Sequence, residues 1–258
     1  MEESRTKRKQ SYVLKAAVFA LIAIALSFVC VVGAVIEMQY SKEYVSILFK
    51  VLIIVGILVY ALIKKEFHLL WEGRYFTLFL LFAFIPGVLN FLRAVGHTDS
   101  YPSTSLVITT VLNVLTTVIW EELYFRYVGK SLFWKDGKLT LCDYFILVTV
   151  FAATHFVNML FYSPISVFVQ VFEAFACGAF WVVLYYKTNN ILVSITSHFV
   201  GNLSAGLFSI YVSYSARFFT KVDYIFTILL IVFDLAFAVY FLIKNKVFKK
   251  QQIQEHQF

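Results

Sequence analysis

The chain has 258 residues, of which 61% are hydrophobic and 14% are charged, and its mean hydropathy is +0.81. Soluble domains are about half apolar and about a quarter charged, so too little polar surface remains to cover a water-soluble globule. In a soluble protein the net charge of +7 would suggest a nucleic-acid partner. Here the basic residues cluster between apolar runs, so membrane topology explains the charge better and no nucleic-acid partner is predicted.

Apolar runs long enough to cross a bilayer occupy nearly the whole chain. A helical span needs about 20 mostly apolar residues. Suitable runs lie near 12–36, 44–63, 75–93, 104–129, 143–161, 166–186, 190–212 and 222–243. The sequence therefore predicts an all-α fold, a polytopic integral membrane helix bundle with about eight transmembrane helices. These helices form a single membrane domain over residues 1–258.

The Lys and Arg residues are distributed unevenly between the two sides of this bundle. Fifteen would lie on one side: Arg5, Lys7, Arg8, Lys9, Lys64, Lys65, Arg74, Lys130, Lys135, Lys138, Lys187, Lys244, Lys246, Lys249 and Lys250. About four would lie opposite: Lys42, Arg93, Arg217 and Lys221. The excess of positive charge marks the cytosolic side, and an even number of spans gives both termini the same side. We therefore predict cytosolic termini, with basic tails at 1–11 and 245–258.

Three cysteines, Cys30, Cys142 and Cys177, lie in or beside the apolar runs. They show neither a paired nor a metal-type spacing, so they are predicted to be inert packing residues. The first apolar run follows a basic segment, as a secretory signal would. It is too long for the apolar region of a signal peptide, and we expect it to remain as an anchor.

The fourth predicted span carries two adjacent acids in the segment Trp120–Arg126, WEELYFR. Ionisable groups inside a span cost several kcal/mol each. Glu122 and Arg126 are spaced i, i+4 with the acid first, the better order for an ion pair. Glu121 lies about 100° round the helix and has no local partner. Both acids could simply sit at the cytosolic end of the helix, but this interpretation suits Glu122 better than Glu121.

The fifth and seventh predicted spans each carry a pair of residues that are one helical turn apart and include a histidine. FAATH contains Phe151 and His155, and HFVGN contains His198 and Asn202. A single intramembrane His or Asn often makes only an interhelical hydrogen bond. Measured from the cytosolic helix ends, however, Glu121 and both histidines lie at roughly 12–18 Å, near the middle of the bilayer. This shared depth predicts a functional site, in which Phe151 is a packing residue.

The residue types at that depth suit peptide-bond hydrolysis. A carboxylate beside a histidine can take a proton from water, and an imidazole and an amide one turn apart can donate to an oxyanion. EELYFR, FAATH and HFVGN also match, in order, the motifs EExxxR, FxxxH and HxxxN. Over about residues 104–212 the chain therefore resembles the family of CAAX-type proteases and bacteriocin-processing proteins, also called the CPBP or Abi family.

The resemblance implies an intramembrane endopeptidase acting on a membrane-associated protein or peptide, such as a leader, a pheromone precursor or a CAAX-like tail. It implies that Glu121 is the general base and that His155 positions and activates water. It implies that His198 and Asn202 stabilise the oxyanion. The implied supporting residues are Glu122 and Arg126. The resemblance also leans towards bacteria, which indicates a multi-pass protein of a bacterial plasma membrane.

Several alternatives remain open at this point. A zinc triad could form from Glu121, His155 and His198. The family is also described as using a metal-free mechanism, in which a glutamate and a histidine hold the water. We favour the metal-free mechanism and therefore predict no cofactor, with zinc as the alternative. A transporter would also place such groups at mid-membrane, but no repeated halves are evident. The protein could instead be a membrane scaffold that regulates a partner kinase or cell-wall enzyme without proteolysis. The sequence does not predict the oligomeric state.

Two further acids lie within predicted spans. Glu173 follows Gln170 by three residues on one face of the sixth span. It is predicted to have a hydrogen-bonded structural role, with lining of a cavity as the alternative. Asp234 in the eighth span is predicted to pair with a neighbouring helix.

Overall fold

The computed structural model describes residues 2–40, 44–65, 84–85, 102–134, 139–211 and 219–244. Within these ranges the chain consists of helices and short connections, with no strand. The predicted all-α class is confirmed.

Eight α-helices account for most of the described residues. They are α1 (Glu2–Tyr40), α2 (Val45–Ile63), α3 (Thr104–Glu122), α4 (Gly129–Phe133), α5 (Leu141–Thr154), α6 (Pro164–Thr188), α7 (Ile191–Tyr211) and α8 (Phe219–Lys244). A π-helical segment, Leu123–Val128, joins α3 to α4 without a break. A 3-10 helix, His155–Leu160, extends α5.

Six helical segments among the described residues are long and apolar enough to cross a membrane. They are Lys9–Tyr40, Val45–Ile63, Thr104–Phe133, Leu141–Leu160, Pro164–Thr188 and Thr227–Lys244, and α7 adds a shorter apolar stretch, Ile191–Leu207. These seven segments correspond to seven of the eight predicted spans, so the chain is a multi-pass membrane protein. The predicted span at 75–93 lies outside the described residues, apart from Phe84 and Ile85.

Local sequence signals fix where the central helices begin and end. Thr140 and Asp143 form a reciprocal capping box at the start of α5, which satisfies backbone N–H groups that the helix leaves unpaired. Ser163 caps α6, whose first residue is Pro164, a residue suited to that position. Asn189 ends α6 in a left-handed conformation, with φ at 49°. These signals set the depth of every residue on α5 and α6.

The helix ends that carry Lys130, Lys187 and Lys244 meet at one end of the bundle, called here the basic end. Contacts there join α1 to α5 (Tyr12–Asp143), α1 to α4 (Tyr12–Phe133), α4 to the α6–α7 connection (Lys130–Asn189) and α6 to α8 (Lys187–Phe241). The beginning of α1 and the end of α8 therefore lie on the same side of the bundle.

Helices α2 and α3 run in the same direction, towards the basic end. The Ser46 backbone N–H donates to Glu37 Oε2 over 3.2 Å, so α2 begins beside the far end of α1. Tyr124, just beyond the end of α3, stacks on Phe19 in the half of α1 nearer the basic end, with ring centroids 4.9 Å apart. Helix α2 therefore ends at the basic end, and α3 begins at the far end. The predicted third span, at 75–93, stays a prediction.

The hydrophobic core joins buried side chains from all eight of these helices and from the π-helical segment. Among its fully buried side chains are Phe125, Phe151, Phe180 and Tyr185. Leucine, isoleucine and valine side chains on the outer faces of α1, α2 and α8 remain exposed, as expected for helices that face lipid rather than water. Four polar residues of the three motifs, Glu121, Glu122, Arg126 and His198, are buried in this core. His155 and Asn202 are partly buried.

Candidate active site

The two adjacent acids lie at the junction of α3 and the π-helical segment. Glu121 is 8% exposed and Glu122 is completely buried. The next six residues, Leu123–Val128, form the π-helical turn, a wider turn that is rare and occurs mostly at functional sites. The turn carries Arg126 as well, so all three charged groups of the motif point into the core.

Glu122 and Arg126 form the ion pair that their spacing predicts. Arg126 Nε lies 3.2 Å from Glu122 Oε2, and both side chains are at most 1% exposed. The approach is too oblique for a hydrogen bond, and Nη1 and Nη2 of Arg126 have no hydrogen-bond partner within the described part of the chain. The guanidinium instead lies over the Phe151 ring at 5.1 Å and the Trp181 ring at 6.0 Å, contacts that stabilise a cation.

His198 connects both acids to Asn202. Its Nδ1 lies 3.0 Å from Glu122 Oε1, and its Nε2 lies 3.5 Å from Glu121 Oε2 and 2.9 Å from Asn202 Nδ2. Because an ionised carboxylate only accepts hydrogen bonds, Nδ1 carries the proton that is donated to Glu122. In the neutral ring, Nε2 then accepts from Asn202. Trp181 stacks on the imidazole, with centroids 3.8 Å apart, and holds its plane.

His155 reaches the same layer through Phe151. It begins the 3-10 helix, and its Nδ1 donates to the Phe151 carbonyl oxygen over 3.1 Å. The Phe151 ring is 5.2 Å from the ring of His155 and 6.1 Å from that of His198. Among the described residues, no hydrogen bond or ion pair joins His155 directly to Glu121. Phe151 is the packing residue that the sequence predicts, and it also separates the two imidazoles.

The structure brings polar residues of α3, the π-helical segment and α7 together, and their shared depth in the membrane stays a prediction. Contacts link Glu121, Glu122, Arg126, His198 and Asn202 into one connected group. His155 is attached to that group through an aromatic ring. The roles of these residues in a reaction remain predictions.

A zinc ion does not fit the donor groups as they are arranged. Across the described residues, no three His, Cys, Asp or Glu side chains could together hold a metal ion. A zinc ligand must offer a free lone pair. Both ring nitrogens of His198 are already engaged, by Glu122 and by Asn202.

The sequence analysis missed two residues that contact or influence the site. Trp181 stacks on His198, but one aromatic residue in an apolar span carries no signal that would have identified it. Lys50 is 7% exposed within α2 and donates to Asn113 Oδ1 on α3, the helix that carries Glu121. Its signal was available, because it is the one charge in the apolar run VSILFKVLIIVG, and a charge inside a span indicates function.

The remaining intramembrane polar residues contact neighbouring elements. The Cys177 thiol on α6 lies 3.2 Å from Asp234 Oδ2 on α8 and donates to it, which confirms the predicted pairing of Asp234. Asn158 donates to Gln170 Oε1 over 2.9 Å. Glu173 interacts electrostatically with Cys177. Cys177 is thus a free packing cysteine, as predicted, and it is also a hydrogen-bond donor between helices.

One family of known proteins matches the part of the chain that builds this site. Residues 103–204 match the family model described as type II CAAX prenyl endopeptidase Rce1-like. The matched segment extends from the cap of α3 into α7 and contains all three motifs. No curated protein and no solved structure shows significant similarity to the chain. The match confirms the resemblance that the motifs indicated.

Proposed function

We propose that the protein is a glutamate-type intramembrane endopeptidase, because residues 103–204 match the family model of Rce1-like type II CAAX prenyl endopeptidases. Its substrate is a membrane-associated protein or peptide, such as a CAAX-like tail, a leader or a pheromone precursor. The protein functions in the plasma membrane of a bacterium, where processing of leaders and pheromones takes place. Water activated by Glu121 and His155 hydrolyses the peptide bond.

The observation that carries this proposal is the different environment of the two acids. Glu122 is completely buried between Arg126 and His198, and these partners stabilise it as a permanent carboxylate. Among the described residues, the polar atom closest to Glu121 across helices is His198 Nε2, at 3.5 Å, and Glu121 retains some exposure. Glu121 is therefore the acid with a free oxygen for water, and a general base must be within hydrogen-bond reach of the proton that it takes.

In the proposed reaction, these residues act one after another on water and on the peptide bond. A water molecule between Glu121 and His155 gives its proton to the Glu121 carboxylate as its oxygen bonds to the peptide carbonyl carbon. The carbonyl oxygen becomes an oxyanion, which accepts a hydrogen bond from the Asn202 amide, and His198 supports the oxyanion by holding that amide in place through Nε2. The C–N bond then breaks, and the departing amine takes the proton from Glu121.

The test is a cleavage assay on purified protein in liposomes, with membrane-tethered peptides of each substrate class. We expect Glu121→Gln to lower the rate by about a hundredfold to ten-thousandfold, the usual contribution of a general base, with unchanged abundance in the membrane. Glu173→Gln is the matched control, because it removes a carboxylate on α6 outside the site. A Glu121→Gln variant that cleaves at the wild-type rate would show that another group is the base.

The same variants separate proteolysis from regulation of a partner. If Glu121→Gln and His155→Ala both lose cleavage and the cellular phenotype, the protein acts as a protease. If the phenotype persists in variants that cleave nothing, the protein acts as a scaffold that uses this fold without catalysis.

A further inference from the structure

A tryptophan outside the three motifs covers one face of the His198 imidazole. The indole of Trp181, on α6, stacks on that ring with centroids 3.8 Å apart and an angle of 21° between the two planes. The Phe151 ring is farther from the imidazole, at 6.1 Å, and nearly perpendicular to it. Stacked aromatic rings attract each other beyond the effect of the area that they bury, so the indole can restrain the imidazole.

The indole is itself fixed to the helix that carries His198. Its Nε1–H donates to Ser197 Oγ over 3.1 Å, and Ser197 is completely buried on α7. Because Ser197 and His198 are adjacent in sequence, one indole contacts two successive side chains of α7. A buried donor that loses its acceptor is costly, which keeps the indole in this place. The position of Trp181 is therefore tied to that of the His198 ring.

The hydrogen bonds of His198 leave one motion of its ring weakly restrained. They lie at the two ring nitrogens, Nδ1 with Glu122 at 3.0 Å and Nε2 with Asn202 at 2.9 Å. In an imidazole, hydrogen bonds at these two nitrogens point outwards nearly along the line that joins the nitrogens. Rotation about that line tilts the plane of the ring and changes both distances little. A flat surface packed on the face of the ring opposes this tilt directly, and Trp181 supplies that surface.

We propose that Trp181 is a positioning residue for His198: its indole, held by Ser197, fixes the plane of the imidazole. The fixed ring keeps Nδ1 on Glu122 and keeps Nε2 in place to hold the Asn202 amide. Trp181 acts through His198 and not on the peptide itself. The catalytic consequence rests on the proposed function, whereas the restraint on the ring can be measured without any substrate.

The test without substrate is a nuclear magnetic resonance measurement of the Nδ1–H proton of His198. Protein labelled with ¹⁵N-histidine is studied in nanodiscs, and the His198 signal is identified by its absence in His198→Gln. Trp181→Leu removes the aromatic face, and Trp181→Phe retains one. We expect the proton to exchange with water about tenfold faster in Trp181→Leu, the equilibrium change that loss of one aromatic stack corresponds to. In Trp181→Phe the exchange rate should return towards that of the wild type.

Phe180→Leu is the matched control for lost packing. Phe180 precedes Trp181 on α6 and is completely buried, but its ring packs against Phe233 and Phe237 of α8. The control should lower the folded yield without changing exchange of the His198 proton. Should Trp181→Leu fail to fold, Trp181→Met also removes the aromatic face and takes its place. A folded variant that lacks this face and exchanges the proton at the wild-type rate would overturn the proposal.

Cleavage kinetics provide a second readout. Because Trp181 acts through His198, Trp181→Leu should lower kcat by about tenfold to a hundredfold, the usual effect of a misplaced catalytic group, and leave KM unchanged. Trp181→Phe should recover most of kcat. A higher KM with unchanged kcat would overturn the proposal, because it indicates a role in binding the peptide. If the wild type cleaves none of the peptides, the proposed function fails, and the exchange rates still decide the role of Trp181.

Discussion

Arg126 is the residue on which the buried charges of the site depend most directly. Replacement by alanine leaves Glu122 without its ion-pair partner in a fully buried position. Removing one partner of a buried pair typically costs about 3–5 kcal/mol. We therefore expect Arg126→Ala to lower both the folded yield and the activity, measured by detergent-solubilised yield, thermal unfolding and cleavage rate.

A double variant tests whether the loss of yield in Arg126→Ala comes from the unpaired charge of Glu122. Glu122→Gln combined with Arg126→Met removes both charges at once, so it should recover part of the yield that Arg126→Ala loses, without recovering activity. If Arg126→Ala is as abundant and as heat-stable as the wild type, the ion pair contributes nothing to folding.

His198 and Asn202 distinguish the two chemistries that the sequence leaves open. As a hydrogen-bond donor, His198 can be replaced in part by an amide, and loss of one oxyanion donor costs about a hundredfold to a thousandfold in rate. We expect His198→Gln to keep measurable cleavage and Asn202→Ala to be impaired to a similar degree. If His198 were a zinc ligand, His198→Gln would lose the metal and the activity, because zinc binds imidazole nitrogen in preference to an amide.

Metal analysis of the purified wild type completes that comparison. We expect activity to survive strong chelators. One equivalent of zinc, lost together with activity on chelation and restored with it, would instead make His198 a ligand.

The sequence predicted contacts within a helix better than contacts between helices. The spacing of Glu122 and Arg126 was sufficient to predict their pair, because residues four apart lie on one face. The bond between Glu122 and His198 joins residues on different helices, and no spacing rule reaches that far. Lys50 was not singled out from the sequence, because a span is defined by eighteen or more apolar residues and one charge barely changes the mean hydropathy over that length.

At the scale of the helices, hydropathy predicted the spans closely. The runs at 143–161 and 166–186 correspond to Leu141–Leu160 and Pro164–Thr188. The π-helical segment was not predicted, since LYFRYV contains no residue that breaks an α-helix. Its wider turn depends on how the surrounding helices pack, which a local pattern does not record.

Close packing between α5 and α6 gives a prediction at this scale. A Cβ at Gly178 would lie 2.8 Å from Cδ1 of Phe151, closer than carbon atoms approach without a shift. The Phe151 ring contacts His155, His198 and the Arg126 guanidinium. We expect Gly178→Ala to lower kcat/KM by about tenfold to a hundredfold, because small misplacements of catalytic groups are costly.

Gly56 on α2 is the matched control for this variant. A Cβ there meets nothing within 4 Å, so Gly56→Ala should leave the cleavage rate and the folded yield unchanged. Wild-type kinetics for Gly178→Ala would mean that the Phe151 ring can move without disturbing the imidazoles.

At the scale of the whole molecule, the helices outside the matched segment support the site as well. The Tyr124 hydroxyl donates to the Phe19 carbonyl oxygen over 2.7 Å, and Lys50 donates to Asn113. Thus α1 and α2 each make a polar contact with the segment that carries the motifs. This packing agrees with the predicted single membrane domain, which stays a prediction over residues 1–258.

The orientation in the membrane is the last prediction, and it combines charge with geometry. The start of α1 and the end of α8 lie at the basic end, and fifteen Lys and Arg residues against about four assign that end to the cytosol. Reporters fused after residue 258 or inserted within 64–74 should therefore read cytosolic, and one near Asp99 should read external.

Reporter results that differ from this prediction would contradict different parts of it. If the reporters at 258 and at 64–74 both read external while the one near Asp99 reads cytosolic, the bundle stands and the charge rule has been misapplied. If residue 258 and the start of α1 read from opposite sides, the number of spans is odd. The contacts that bring α1 and α8 to one end would then be wrong.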